Sequence, residues 1–64
     1  MNQEEIELLF EQLKNKEIAH LDVSKEDFLS FRSVLVKRAD FKHFRGTAHL
    51  GGSVTYEYLD EPRS

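Results

Sequence analysis

Cysteine is absent from the 64-residue chain. No disulfide can brace it, and no thiolate zinc site can form. The absence fits a reducing compartment. Long apolar runs are absent too. Nothing approaches the roughly 18 consecutive apolar residues of a membrane-spanning helix. The opening stretch, MNQEEIELLF, is acidic where a secretory leader would be basic. The expected address is therefore cytoplasmic, with no membrane partner. Chain breakers are scarce: Pro62 is the lone proline, and glycine occurs only at Gly46, Gly51 and Gly52. A chain of this size buries only about 60% of the surface it exposes when unfolded. Its stability is thus marginal unless self-association or a partner helps.

Catalytic signatures are missing as well. The glycines follow neither the GxxxxGK[ST] spacing of a phosphate loop nor the GxGxxG spacing of a dinucleotide turn. No serine lies in a GxSxG elbow. Ser24 is accounted for as a helix cap, Ser30 and Ser33 as helix-surface residues, and Ser53 as a neighbour of a turn. The histidines, His20, His43 and His49, form no HExxH and no close pair. Asp22, Glu26, Asp27 and Asp40 offer acid or base groups without an arrangement. So small a chain also has little mass from which to build a concave, water-excluding site. The reading is of a non-enzyme, with no catalytic, metal or cofactor-binding residues and no cofactor.

What is present is a change of rhythm. Asn2 followed by Glu5 is an approximate capping box for a first helix near residues 3–16, with Met1 placed to staple onto Ile6. Ile6, Leu9, Phe10 and Leu13 recur at helical spacing. Glu4, Glu5 and Glu7 suit the positive helix end, and Lys14 and Lys16 the negative end. Residues 18–23, IAHLDV, serve either as an extended linker or as a short edge strand near 19–23. Ser24 and Asp27 then make a capping box, and Val23 and Phe28 occupy the staple positions. They open a second helix near 25–42 that buries Phe28, Phe31 and Leu35.

From residue 44 the period becomes two. The Gly51–Gly52 pair fits a two-residue hairpin turn between strands near 45–50 and 53–59. That register opposes Leu50 to Ser53, His49 to Val54, Ala48 to Thr55, Thr47 to Tyr56 and Arg45 to Tyr58. The larger apolar surface, Val54, Tyr56 and Tyr58, should face the helices, with Glu57 on the wet side. The fold expected is α+β, two amphipathic helices on a C-terminal β-hairpin, in the order α-α-β-β. Residues 1–59 would form one small globular domain and residues 60–64 a disordered tail. The expected core is Ile6, Leu9, Phe10, Leu13, Phe28, Phe31, Leu35, Val54 and Tyr56.

Charge is unevenly spread within the net of −3. Residues 1–31 hold eight acids and three bases, a balance of −5, and residues 32–64 hold four acids and six bases, a balance of +2. Arg32, Lys37, Arg38, Lys42 and Arg45 form a basic cluster interrupted only by Asp40. If the second helix runs on, Arg38, Lys42 and Arg45 share a face. With the helix–connector–helix–hairpin order, this supports an alternative reading as a nucleic-acid-binding domain of truncated winged-helix-like layout. The net acidic charge argues against nucleic acid as partner. The preferred reading is a small non-enzymatic protein–protein interaction module, acting by self-association or as a regulator or adaptor of a larger protein. Its candidate contact residues are Leu8, Leu29, Val36 and Leu50, at the margins of the expected core.

Overall fold

The computed structural model describes residues 2–62. It is an α+β arrangement with the order α1 (Gln3–Lys14), β1 (Leu21–Val23), α2 (Phe28–Leu35), a 3-10 turn (Phe41–His43), β2 (Phe44–Ala48) and β3 (Val54–Tyr58). The strands form one antiparallel sheet in the order β1-β3-β2. The expected α-α-β-β order is therefore refined, because the 18–23 connector contributes a true strand that pairs with β3 rather than with its neighbour in sequence.

α1 starts as its local signals dictate. The Asn2 side chain accepts a hydrogen bond from the Glu5 N–H at 2.9 Å, satisfying one of the donors a helix start leaves free. The Met1 staple lies outside the described residues. The helix ends without glycine. Lys16 takes the left-handed conformation, with φ 64. The Glu17 N–H bonds to the Gln12 carbonyl at 2.9 Å and the Lys16 N–H to the Leu13 carbonyl at 3.2 Å. This is the Schellman pattern with lysine at the position where glycine is usual. The Lys16 side chain reaches Asp60 at 3.2 Å and lies 5.9 Å from the Tyr58 ring centre.

α2 is shorter than the sequence predicts, at both ends. The capping-box residues do meet, but side chain to side chain: the Ser24 hydroxyl donates to the Asp27 carboxylate at 3.1 Å. Residues 25–27 form a turn, and helical bonding begins with the Phe31 N–H to the Asp27 carbonyl. At the other end the Lys37 and Arg38 N–H groups bond three residues back, to Val34 and Leu35, which tightens and stops the helix. No α-helix joins Arg38 to Arg45; only the 3-10 turn at Phe41–His43 lies between them.

The hairpin turn is also longer by one residue. The His49 N–H bonds to the Ser53 carbonyl at 2.8 Å, and the Gly52 N–H to the His49 carbonyl at 3.1 Å. Leu50, Gly51 and Gly52 are thus all in the loop. Both glycines have positive φ, 93 and 94, which a residue with a Cβ adopts only at a cost. The added residue slips the register. Ala48 opposes Val54, Gly46 opposes Tyr56 and Phe44 opposes Tyr58. A one-residue slip moves every side chain of a strand to the other face. Val54, Tyr56 and Tyr58 face the helices as expected, but Phe44, Gly46 and Ala48 join them, not Arg45, Thr47 and His49.

The core consists of Ile6, Phe10, Leu13, Leu21, Val23, Phe31, Val34, Leu35, Phe44, Val54 and Tyr56, with Leu9, Ile18, Phe28 and Tyr58 partly buried against it. Leu9 and Phe28 are therefore peripheral. Leu21, Val23, Val34 and Phe44 are the members the sequence reading omitted. Phe10 is 0% exposed. Its ring meets Phe44, Tyr56 and Phe31 edge-on, at centroid distances of 5.2, 5.7 and 5.8 Å. Gly46 has a packing reason: a Cβ there would sit 3.1 Å from the Tyr56 ring. Of the expected tail, Asp60, Glu61 and Pro62 are exposed, and residues 63–64 lie outside the described residues.

Phe10→Ala should cost about 3–5 kcal/mol, a large fraction of a small domain's total stability. The variant is expected to lose its cooperative thermal transition by circular dichroism. An unchanged midpoint would contradict the central placement of this ring.

Candidate functional site

An open groove lies between α2 and the helix-facing side of β2. The sheet explains its existence. α1 packs on β3 and on α2, but the β2 side chains beyond Phe44 on this face are only Gly46 and Ala48, both exposed. Phe28 and Arg32 of α2, Val36 just after it and Phe41 of the 3-10 turn form the walls. The Tyr56 ring lies in its floor. Burial pushes the Tyr56 phenol pKa up, with the Arg32 charge pulling the other way.

The four candidate contact residues are all exposed, but they do not line one groove. Leu29 and Val36, 74% and 49% exposed, stand seven residues apart on the solvent side of α2, opposite Phe31. Val36 borders the groove. Leu29 borders a shallower depression with Ile6 and Val34. Leu8 is on α1, turned away from the Ile6–Phe10–Leu13 stripe, and is 59% exposed. Leu50 is at the hairpin tip and fully exposed, at 103%. Phe41, 36% exposed, was missed. Its helical numbering had placed it inside α2, and only the early end of that helix brings it to the groove wall.

The basic cluster is dispersed, because α2 ends at Leu35. Arg38 is engaged inside the fold. Its guanidinium donates to Asp40 at 2.8 and 3.2 Å and to Glu11 at 2.8 Å. It lies 5.5 Å from the Phe44 ring centre, and its side chain is only 13% exposed. It fastens α1 to the loop after α2 and lids the core. Arg32 borders the groove. Lys37 and Lys42 are exposed in the segments after α2, and Arg45 is exposed on the opposite sheet face, in register with Glu57. The helical face of Arg38, Lys42 and Arg45 on which the nucleic-acid alternative rested does not form.

That opposite face carries a polar chain from β1 through β3 to His49, just past the end of β2. The Thr55 hydroxyl donates to Asp22 at 2.7 Å and lies 2.7 Å from His49 Nε2, which must supply the proton to it. His20 Nε2 stands 3.7 Å from the other Asp22 oxygen. Since the hydroxyl proton points at the carboxylate, His49 is not placed to withdraw it. The arrangement ties the strands together rather than activating a nucleophile. His43 is elsewhere, stacked on Tyr58 at 5.3 Å with its Nδ1–H donating to the Leu59 carbonyl at 2.8 Å. Only the true register brings Asp22, Thr55 and His49 together. Among the described residues no group of three or more metal-ligating side chains converges, and no helix is long and apolar enough to cross a membrane.

The molecule is thus a small α+β protein with two helices on one face of a three-stranded antiparallel sheet, a groove beside its edge strand and a polar outer face. The chain belongs to the family of YkzS-like proteins, whose family model matches residues 3–57, from the first residue of α1 almost to the end of β3. No curated protein and no solved structure matches it.

The hydrogen bonds from Arg38 hold the Asp40 carboxyl below the usual aspartate range, against the opposing pull of its partial burial. A carboxyl depressed in the folded state contributes stability that is complete above its unfolded pKa, about 4. That contribution is lost as pH falls through the lower folded value. Asp40→Asn should therefore flatten the acid limb of stability against pH, measured by urea denaturation below about pH 4. An acid limb identical to that of the parent chain would contradict this role.

Proposed function

We propose that the chain acts through protein contact, as a small non-enzymatic interaction module that docks on a larger protein or on a second copy of itself. The observation that carries this reading is the α2 surface. Leu29 and Val36 expose apolar side chains to water on one face, and Val36 continues into the groove walled by Phe28 and Phe41. A large apolar side chain left in water contributes nothing to the core, whereas covering it contributes about 25 cal/mol per Å². Val36, Phe28 and Phe41 together offer apolar surface of the kind that marks contact sites in small proteins. The unequal charge of the two chain halves would orient a partner.

A photo-crosslinking residue placed at position 29 or 36 should yield the same discrete adducts in host cells. One placed at Glu4 should not. Replacing Leu29 and Val36 together by serine should abolish the adducts formed from a probe at position 32. Stability should change little, since exposed substitutions usually shift it by less than about 0.5 kcal/mol each. Adduct patterns indistinguishable between the α2 positions and Glu4 would remove the basis of this reading.

A further inference from the structure

We propose that the free edge of β2 and the groove beside it accept an extended, acidic peptide segment of a partner protein as a fourth strand. This rests on the protein-contact reading above and specifies its mode. The bonds at the two ends of the β2–β3 ladder, His49 N–H to Ser53 and Leu59 N–H to the His43 carbonyl, fix which backbone groups the hairpin uses. In an antiparallel pair, hydrogen-bonded positions alternate. Arg45 and Thr47 therefore bond inward to β3, while the N–H and C=O groups of Gly46 and Ala48 and the C=O of Phe44 point away from it. The Phe44 N–H is occupied by the Phe41 carbonyl. β2 is the last strand of the sheet on that side, so these groups are offered to solvent. They belong to the same residues whose side chains, or lack of one, open the groove.

The two features together describe a binding mode. Backbone hydrogen bonds along an edge select an extended chain, and a groove beside that edge accepts alternate side chains. Ala48, with its small side chain, leaves room there for an apolar side chain against Phe28, Val36 and Phe41, while the Tyr56 ring fills the space over Gly46. Charge selects the partner. Arg32 is the charged residue of the groove lining, which contains no acid. Lys42 is exposed in the turn leading into β2, and Arg45 is exposed on its outer face. A second copy paired through β2 would bring the same cations against these. An acidic strand would neutralise them.

The test uses a capped synthetic peptide of about eight residues alternating valine with glutamate, the length of an added strand, and its valine–lysine counterpart. Both are titrated into the full chain and followed by amide chemical shifts. The acidic peptide should give saturable shifts at Gly46 and Ala48. The lysine peptide should bind at least about tenfold more weakly, as charge selection implies. Ala48→Pro removes an outward N–H without touching the β3 ladder and should abolish the binding. Should that variant not fold, Ala48→Glu keeps the backbone groups but sets a carboxylate in the groove, and should weaken the acidic peptide by at least about tenfold. No saturable shift at millimolar peptide, equal binding of the two peptides, or binding indifferent to both substitutions overturns the proposal. So does a chain that sediments as a dimer with these same amides protected, since its edge is then occupied by its own copy. If the peptide fails while crosslinks from positions 29 and 36 persist, the edge mode is wrong and the wider reading of protein contact stands.

Discussion

The structure depends on one ring. Phe10 projects from the middle of α1 and meets Phe31 of α2, Phe44 of β2 and Tyr56 of β3 edge-on, each within 6 Å centre to centre. Edge-to-face aromatic pairs add about 0.5–1.5 kcal/mol each beyond the area they bury. For so short a chain that matters, because its total stability is a small difference between large terms. The ring also joins elements that have little reason to meet otherwise. The two helices and the hairpin are distant in sequence, and each alone is too short to be stable in water.

The periphery follows from this centre. Arg38 closes the core beside Phe44, and in doing so ties Glu11 of α1 to the loop after α2. The chain leaves the helix at Leu35 through the tightened bonds of Lys37 and Arg38, and Phe41 and the 3-10 turn lead Phe44 into the sheet. On the other side, β1 hydrogen-bonds to β3, which becomes the central strand. The same economy leaves β2 bare on one edge, with only Gly46 and Ala48 on its helix-facing surface beyond Phe44. With two short helices to cover three strands, the last strand stays partly open, and the groove is the consequence.

How much of this could be read from the residues depended on the range of the interaction involved. The start of α1 was legible because Asn2 and Glu5 cap it within one turn. Alternation is local and sorted β3 into two faces, and the size of the apolar surface pointed the tyrosines inward without deciding the choice. The exposure of Leu29 and Val36 was not legible, because residues at the margin of a helical stripe serve equally to widen the core or to face water. The register was not, because a Gly-Gly pair tolerates a two- or a three-residue loop, and the choice rests on which strand face carries Phe44 to Phe10. The length of α2 was not legible either. Arg38 reads as an ordinary helical residue until its partner Glu11, 27 positions away, is known. The groove was invisible on both counts, since it requires the true register at Gly46 and Ala48 and the early end of α2 at Phe41. The bridge from Asp22 through Thr55 to His49 needs that register too.

The central claim is a three-stranded sheet in the order β1-β3-β2, held in the register that puts Phe44 against Phe10 and leaves the outer edge of β2 unpaired. Residue-resolved amide hydrogen exchange on the isolated chain tests it most directly. Exchange reports protection amide by amide, and the account predicts alternation along one strand. Arg45 and Thr47 amides should be protected along with β3. Gly46 and Ala48 amides, pointing to solvent, should exchange rapidly. Protection of Gly46 and Ala48 with rapid exchange at Arg45 and Thr47 would contradict the account, because it would mean that the hairpin holds the other register.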